Sequence, residues 1–383
     1  SEFTVKFNSV VLENIDFNYA SEVNGSSISL LLAKFTGEDV VYSTNPDKIK
    51  INTVLLDHAD IAILTLDTTT VDNLSATTSD KAFFTPDFGL GIQLEINKIN
   101  IRQSAFNFHT NEVVTTAQFD PSHIAVTALQ LGLTDILIHE DTLALKVDTL
   151  SGRLSAFNLN KAHGDIYMNR DRLELTGVYL KAGDSEVHEI SGVYAVSSIT
   201  TVDNPNVHLT GRAQINLADL TYFISDSVMA PFRHLNKIHL TLTGDYNNGV
   251  GRLDTLAVQT GASKFLAVGS INDIWNVDKL NWNNMSLQAT VGPEFKLALT
   301  PYIDVNQIPP ALKIDLTSTG DFTKMFIDGN VNSTWGNVTA KGDLIPLNDN
   351  IKLDMDLMGQ NVSLNHWVDL PWLGPADFAV KAK

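Results

Sequence analysis

The chain has 383 residues, of which 44% are hydrophobic, 18% charged and 8% aromatic, a folded rather than disordered composition with enough apolar residue for a large interior. Lys and Arg number 26 against 44 Asp and Glu, and the formal net charge of -18, with no basic cluster to offset it, disfavours nucleic acid and anionic membrane surfaces. Cysteine is absent, which removes disulfides, thiolate metal sites and thiol nucleophiles.

No apolar run approaches the roughly 20 residues of a membrane helix. The best, Ile28 to Leu32, is interrupted by Ser29 and soon meets Lys34. The sequence does not begin with Met, and Ser1-Glu2-Phe3 is compatible with a vector remnant, so the chain is read as an excised fragment with its anchor elsewhere.

In chain order, Val5 and Phe7, Val10-Val11-Leu12 and Ile15-Phe17-Tyr19 predict a strand pair closed by the turn-prone Asn24-Gly25. Ile28 to Phe35 fits strand or helix. Ile49 to Leu66 is strand-like, and the Thr-rich residues Thr65 to Thr78 favour β structure. Phe83, Phe84, Pro86, Phe88, Gly89 and Gly91 predict a turn. Short strands follow at Ile92-Leu94-Ile96, Ile99-Ile101, Phe106-Phe108, Ile124-Val126, Leu129-Leu131-Leu133, Ile136-Ile138 and Leu143-Leu145-Val147.

Similar runs at Ile166-Met168, Leu173-Gly177, Val187-Gly192, Val207-Gly211 and Ala213-Leu217 continue the series. Residues 217 to 230 differ: Leu220, Phe223, Ile224 and Val228 lie at helical spacing before Pro231, which predicts one short helix across an end of the sheet. Lys237 to Gly269 then reads as three amphipathic strands, each ended by glycine: Ile238, Leu240 and Leu242 to Gly244, Leu253, Leu256 and Val258 to Gly261, Phe265 and Ala267 to Gly269. A looser version recurs from 312 to 359, with Leu312-Ile314-Leu316, Met325-Ile327, Val338-Ala340 and Ile351-Leu353-Met355-Leu357 each leading to glycine. Trp367, Leu370, Pro371, Trp372 and Leu373 predict a short covering segment.

About two dozen short strands without crossover helices exclude a parallel α/β fold and make the chain all-β. Transmembrane barrels need lipid-facing bands and aromatic girdles, which the short, irregular strands do not supply. Polysaccharide-acting β-helices need stacked Asn or Asp ladders with an acidic catalytic cluster at a regular coil period, whereas the periods here are loose and no such cluster occurs. Two architectures remain, closed β-sandwiches and a single elongated, strongly curved antiparallel or mixed sheet with an apolar groove. The second is the expectation, as one repetitive region over residues 4 to 383 with a subdivision near 200 to 235. Its groove would be lined by Leu143, Leu145, Val147, Ile238, Leu240, Leu242, Val258, Phe265, Ala267, Leu312, Ile314, Leu316, Ile327, Leu353, Met355 and Leu357.

Catalytic chemistry finds little support. His58 with Asp57 and Asp60, and His139 with Glu140 and Asp141, resemble metal-ligand pairs but lack a third ligand, and read as turn or outer-face residues. No G-x-S-x-G elbow occurs, and Gly249-Val250-Gly251 precedes a strand and so reads as a hairpin turn rather than a phosphate loop. No enzyme activity, cofactor or metal is expected.

The repeat phrases themselves carry a resemblance. Leu145 to Val187 (LKVDTLSGRLSAFNLNKAHGDIYMNRDRLELTGVYLKAGDSEV), Val207 to Ile224 (VHLTGRAQINLADLTYFI) and Ile238 to Trp282 are similar to the large TamB and AsmA-like envelope proteins, especially those of Bacteroidota. The resemblance covers most of residues 140 to 345 and extends to the N-terminal third in style. It implies a periplasmic protein anchored in the inner membrane outside this fragment, with a β-taco groove that carries phospholipid acyl chains toward the outer membrane. It also implies a link to outer-membrane assembly through a partner of the Omp85 class, bound by regions outside this fragment.

Overall fold

The computed structural model describes residues 3–21, 26–44, 46–65, 91–111, 119–154, 157–169, 171–195, 206–247, 249–273, 279–300, 308–346, 351–366 and 374–382. The Asn24-Gly25 turn, the Thr-rich run beyond Thr65, the turn around Phe83 to Phe88 and the covering segment 367–373 lie outside them. The chain is all-β, and its described residues divide into two compact units.

The first unit comprises residues 1–203 together with Thr221–Ile224. Its strands are β1 (Thr4–Ala20), β2 (Ser27–Thr44), β3 (Asp47–Thr65), β4 (Gln93–Thr110), β5 (His123–His139), β6 (Thr142–Leu154), β7 (Phe157–Met168), β8 (Arg172–Ala182) and β9 (Ser185–Ala195). Each pairs with the next in sequence, antiparallel everywhere except β3 with β4, which run parallel. The sheet is therefore mixed. Val54, Ile96 and Ile136 form its buried core, packed by Phe35, Leu56, Ile99, Leu133 and Leu145.

These strands are fewer and longer than the sequence suggests. β1 has 17 residues and β3 has 19, and what reads as a strand pair from Val5 to Tyr19 is one strand. The cause is a set of left-handed residues inside the strands. Asn14 (φ 51°), Asp39 (50°), His58 (53°), Gln103 (47°), Ala128 (52°) and Asp135 (55°) each interrupt a strand without ending it. Such bulge-like corners bend a strand and reset which face the next side chain takes. Ile96 and Ile99, and likewise Leu133 and Ile136, are three residues apart, yet all four join the same apolar cluster. A step of three in an alternating pattern marks a corner here.

The corners lie in two lines across β1 to β5. One line runs through Asp39, Asn52, Asn97 and Asp135, which occupy neighbouring register positions. Its side chains form a ladder: Asn52 Nδ2 donates to Asp39 Oδ2 at 3.3 Å and Asn97 Nδ2 to Asn52 Oδ1 at 3.0 Å. The other line holds Asn14, His58 and Gln103. Asn, Asp and His tolerate the left-handed region better than most residues, which explains their use at these points.

The second unit contains β10 (Asn206–Asn216), α1 (Leu217–Leu220), α2 (Asp226–Met229), β11 (Lys237–Asn247), β12 (Val250–Thr260), β13 (Ser263–Asn272), β14 (Asn281–Val291), α3 (Pro293–Leu299), β15 (Leu312–Asp321), β16 (Met325–Ser333), β17 (Gly336–Pro346), β18 (Ile351–Ser363) and β19 (Pro375–Ala382). Strands β10 to β19 pair consecutively and antiparallel.

Two expectations change here. The glycines read as strand ends lie largely inside strands: Gly244 in β11, Gly269 in β13, Gly320 in β15, Gly342 in β17 and Gly359 in β18. Only Gly261, between β12 and β13, is in a turn. Gly269 (φ 148°), Gly320 (142°) and Gly342 (151°) adopt backbone that L side chains avoid, so they make in-strand corners, as Asn and Asp do in the first unit. The single helix predicted for 217–230 is instead two four-residue helices, α1 and α2, followed by a 3-10 turn at Ala230–Phe232. The helix breaks where Tyr222 and Phe223 leave to pack in the first unit, with Phe119 and Phe157; Phe157 stacks on Tyr222 with centroids 5.3 Å apart.

Candidate functional site

Lateral pairing carries side chains of one face across neighbouring strands, so a register list gives the composition of each rung. In the second unit two rungs are apolar or glycine from β10 to β19. The first runs Ala213, Leu240, Val258, Phe265, Ala289, Ile314, Val331, Val338, Gly359, Phe378. The second runs Gly211, Leu242, Leu256, Ala267, Leu287, Leu316, Gly329, Ala340, Leu357, Val380.

The predicted groove residues of this unit thus share one face. Leu240, Val258, Phe265 and Ile314 lie on one rung and Leu242, Ala267, Leu316 and Leu357 on the next. Ile238, opposite Ile215, and Leu312, opposite Val291, lie one step beyond. Ile327 and Met355 meet at Gly342, and Leu353 pairs with Leu344. The intervening residues face the other way; β15 alternates half-buried and exposed along nearly its whole length.

Leu143, Leu145 and Val147 belong to the first unit. Leu143 lies opposite Ile138 and Met168, Val147 opposite Leu133, and Leu145 packs against the Val54–Ile96–Ile136 core. Sequence reading missed the longest rung of this unit: Leu12, Phe35, Leu56, Ile101, Leu131, Leu150, Ala162, Leu180, Val187, one residue from each of nine strands. The alternation that would have found it was visible, but the corners concealed that its segments belong to single strands.

Burial of these faces is partial. Of the sixteen predicted residues only Met355 is fully buried, at 8% exposure, and the others are half-buried. One end of the second-unit face is covered by α3, whose Phe295 ring lies 4.7 Å from that of Phe265 and which packs on the Ala230–Phe232 turn. The N-terminus of α3 is tied down by Glu294. Its carboxylate accepts the Ala262 amide at 2.5 Å, the Ser263 amide at 3.1 Å and the Ser263 hydroxyl at 3.3 Å, while Ser263 Oγ accepts the Gly292 amide at 2.9 Å. Hydrogen bonds from its own amide and then from the Ala262 and Ser263 amides hold the Glu294 carboxyl below its ordinary value. Gly261 beside it takes left-handed backbone (φ 53°), and a Cβ there would displace the Glu294 carboxylate from its hydrogen bonds.

A shallow concavity on β11 to β15 is lined by His239, Gln259, Lys264 and Lys313 together with Leu266, and its lining includes the first-rung residues Val258, Phe265, Ala289 and Ile314. Among the described residues no three His, Asp or Glu side chains gather where they could hold a metal ion. His58 is a corner residue with Asp57 Oδ1 at 3.1 Å, and Glu140 (φ 49°) sits in the turn between β5 and β6. Gly249 (φ 82°) belongs to the β11–β12 hairpin.

Comparison with protein-family models, with curated proteins and with solved structures gives no match.

Proposed function

We propose that the chain is a periplasmic portion of a lipid-transport or envelope-assembly protein, whose apolar sheet faces form a β-taco groove that shields phospholipid acyl chains between the inner and outer membranes. The observation that carries this reading is the pair of unbroken apolar rungs across β10 to β19, most of whose residues remain half-buried, Ala289 and Gly359 being buried and Val380 exposed. A closed protein core buries its apolar side chains nearly completely, whereas a lipid-binding face keeps area available for its ligand. Transfer of apolar surface is worth about 0.8 kcal/mol per methylene, so an acyl chain of about sixteen carbons held on such a face avoids a cost of roughly 13 kcal/mol in water. The likeness of the repeat phrases to TamB and AsmA-like proteins agrees with this reading. It adds an inner-membrane anchor and an Omp85-class partner, both contacted through regions outside residues 1–383. The proposal involves no reaction and no cofactor.

A structural or adhesive envelope module with closed β-sandwich cores is the second reading, and the buried Val54–Ile96–Ile136 cluster is the observation that favours it. The two are separated by native mass spectrometry and solvent extraction of the purified chain. Lipid conduction predicts bound phospholipid or saturable uptake of labelled phospholipid; a chain that is lipid-free and takes none up belongs to the second class.

A further inference from the structure

β1 pairs along one side with β2, from Thr4 opposite Ser43 to Ala20 opposite Ser27, and among the described residues no strand lies along its other side. Phe7, Leu12, Phe17 and Tyr19 on this strand are each about half exposed. A long apolar edge with free backbone donors and acceptors recruits another strand unless it is blocked, and β1 carries no proline, its interior charges being Lys6, Glu13 and Asp16.

The residue pattern of the strand is approximately two-fold about Val11, with Ser9 opposite Glu13 the pair that departs from it. Antiparallel pairing of β1 with a copy of itself, Val11 on the axis, sets Val5 opposite Phe17, Phe7 opposite Ile15 and Val10 opposite Leu12 on the apolar face. On the other face Thr4 meets Asn18, and Lys6, the single basic residue of the strand, meets Asp16.

The corners fix the same register independently. Ladder pairing lapses at the corners, where the flanking register is Phe7 with Val40, Ser9 with Glu38, Glu13 with Lys34 and Ile15 with Leu32 in β1–β2, and Leu32 with Ala59, Lys34 with Asp57 and Glu38 with Thr53 in β2–β3. This register leaves left-handed Asn14 across from Ala33, left-handed Asp39 across from Asn8 and Asn52, and left-handed His58 across from Ala33. Each of these corners takes one left-handed residue and one extended partner. Only the register centred on Val11 lays corner on corner between two copies, with Asn14 opposite Asn8 at both ends and the same one-to-one rule kept.

We propose that β1 is a self-recognition edge, along which a second copy of this chain adds antiparallel with its two-fold axis at Val11, so that the apolar face of the first unit continues from copy to copy. Head-to-tail addition of β19 fits less well, since β19 has 8 residues against the 17 of β1 and leaves half of the edge uncovered.

Sedimentation equilibrium of the 383-residue chain, with circular dichroism to check folding, tests the proposal. A monomer–dimer equilibrium is expected. Lys6→Asp and Asp16→Lys each place like charges opposite one another twice per dimer and weaken association about tenfold, and the double variant restores it. In a chain without cysteine, Val11→Cys gives a disulfide-linked dimer under mild oxidant; Glu13→Cys does not, because its copies lie roughly 13 Å apart along the strands. A monomer at every concentration, charge variants whose effects add instead of cancelling, equal cross-linking of both cysteine variants, or a ladder of higher oligomers would each overturn it. So would protection of β1 by an extra strand in a longer form of the chain.

Discussion

Gly342 shows what a corner demands of a single residue. At φ 151° a Cβ on it would run into the Asp354 carbonyl oxygen and come within 2.6 Å of Met355 Cα, so backbone conformation and space both exclude a side chain. Gly342→Ala is expected to cost about 2 kcal/mol or more in urea unfolding, whereas Gly374→Ala, with open space around its Cβ position, should be near neutral. Glu294 makes a second residue-scale case. Its carboxyl is held below its ordinary value of 4.5 in the folded chain, so its contribution is complete above that value and is lost as pH falls through the lowered one. Glu294→Gln should therefore cost about 1–2 kcal/mol at neutral pH and little at strongly acidic pH. Stability curves for the two chains that run parallel down to acid pH would show that the carboxylate does not pin α3 to the β12–β13 turn.

Elements were legible in the sequence to the extent that their period was unbroken. Alternation identified the faces of β11, β15 and β18 and placed Leu240, Ile314 and Leu357 on one side of the sheet, because a period of two leaves a strand no other choice. It failed where a residue leaves extended geometry. Asp135 shifts the pattern from Leu133 to Ile136 and so reads as a gap between strands, and Gly269 reads as a stop although β13 continues to Asn272. α3 was missed because seven residues give too few turns for periodicity, although Pro293 at its first position after Gly292, with Glu294 next, is a helix-start signal. The break at 221–224 was beyond reach, since the pull on Tyr222 and Phe223 comes from Phe119 and Phe157, far away in sequence. The corner at Asp135 makes Ile136 a core residue despite its odd spacing. Ile136→Ala should then cost about 2–4 kcal/mol, against less than about 0.5 kcal/mol for Thr134→Ala on the same strand.

At the scale of the whole molecule, each unit is one continuous sheet whose pairing follows chain order, and each carries apolar rungs that cross every strand. An acidic chain of net charge -18 repels anionic lipid surfaces, so any affinity for phospholipid has to come from the apolar face and its acyl chains. That separates the two faces of one strand as a test. Leu240 lies on the first apolar rung and Thr241, the next residue, faces the polar side, so a glutamate at either position adds the same charge to the same strand of the chain. The decisive measurement is binding of a labelled phospholipid to the purified chain and to its Leu240→Glu and Thr241→Glu variants. The account predicts saturable binding that Leu240→Glu reduces at least tenfold and Thr241→Glu leaves within a factor of about two. Binding that is absent in the parent chain, or equally sensitive to both substitutions, contradicts it.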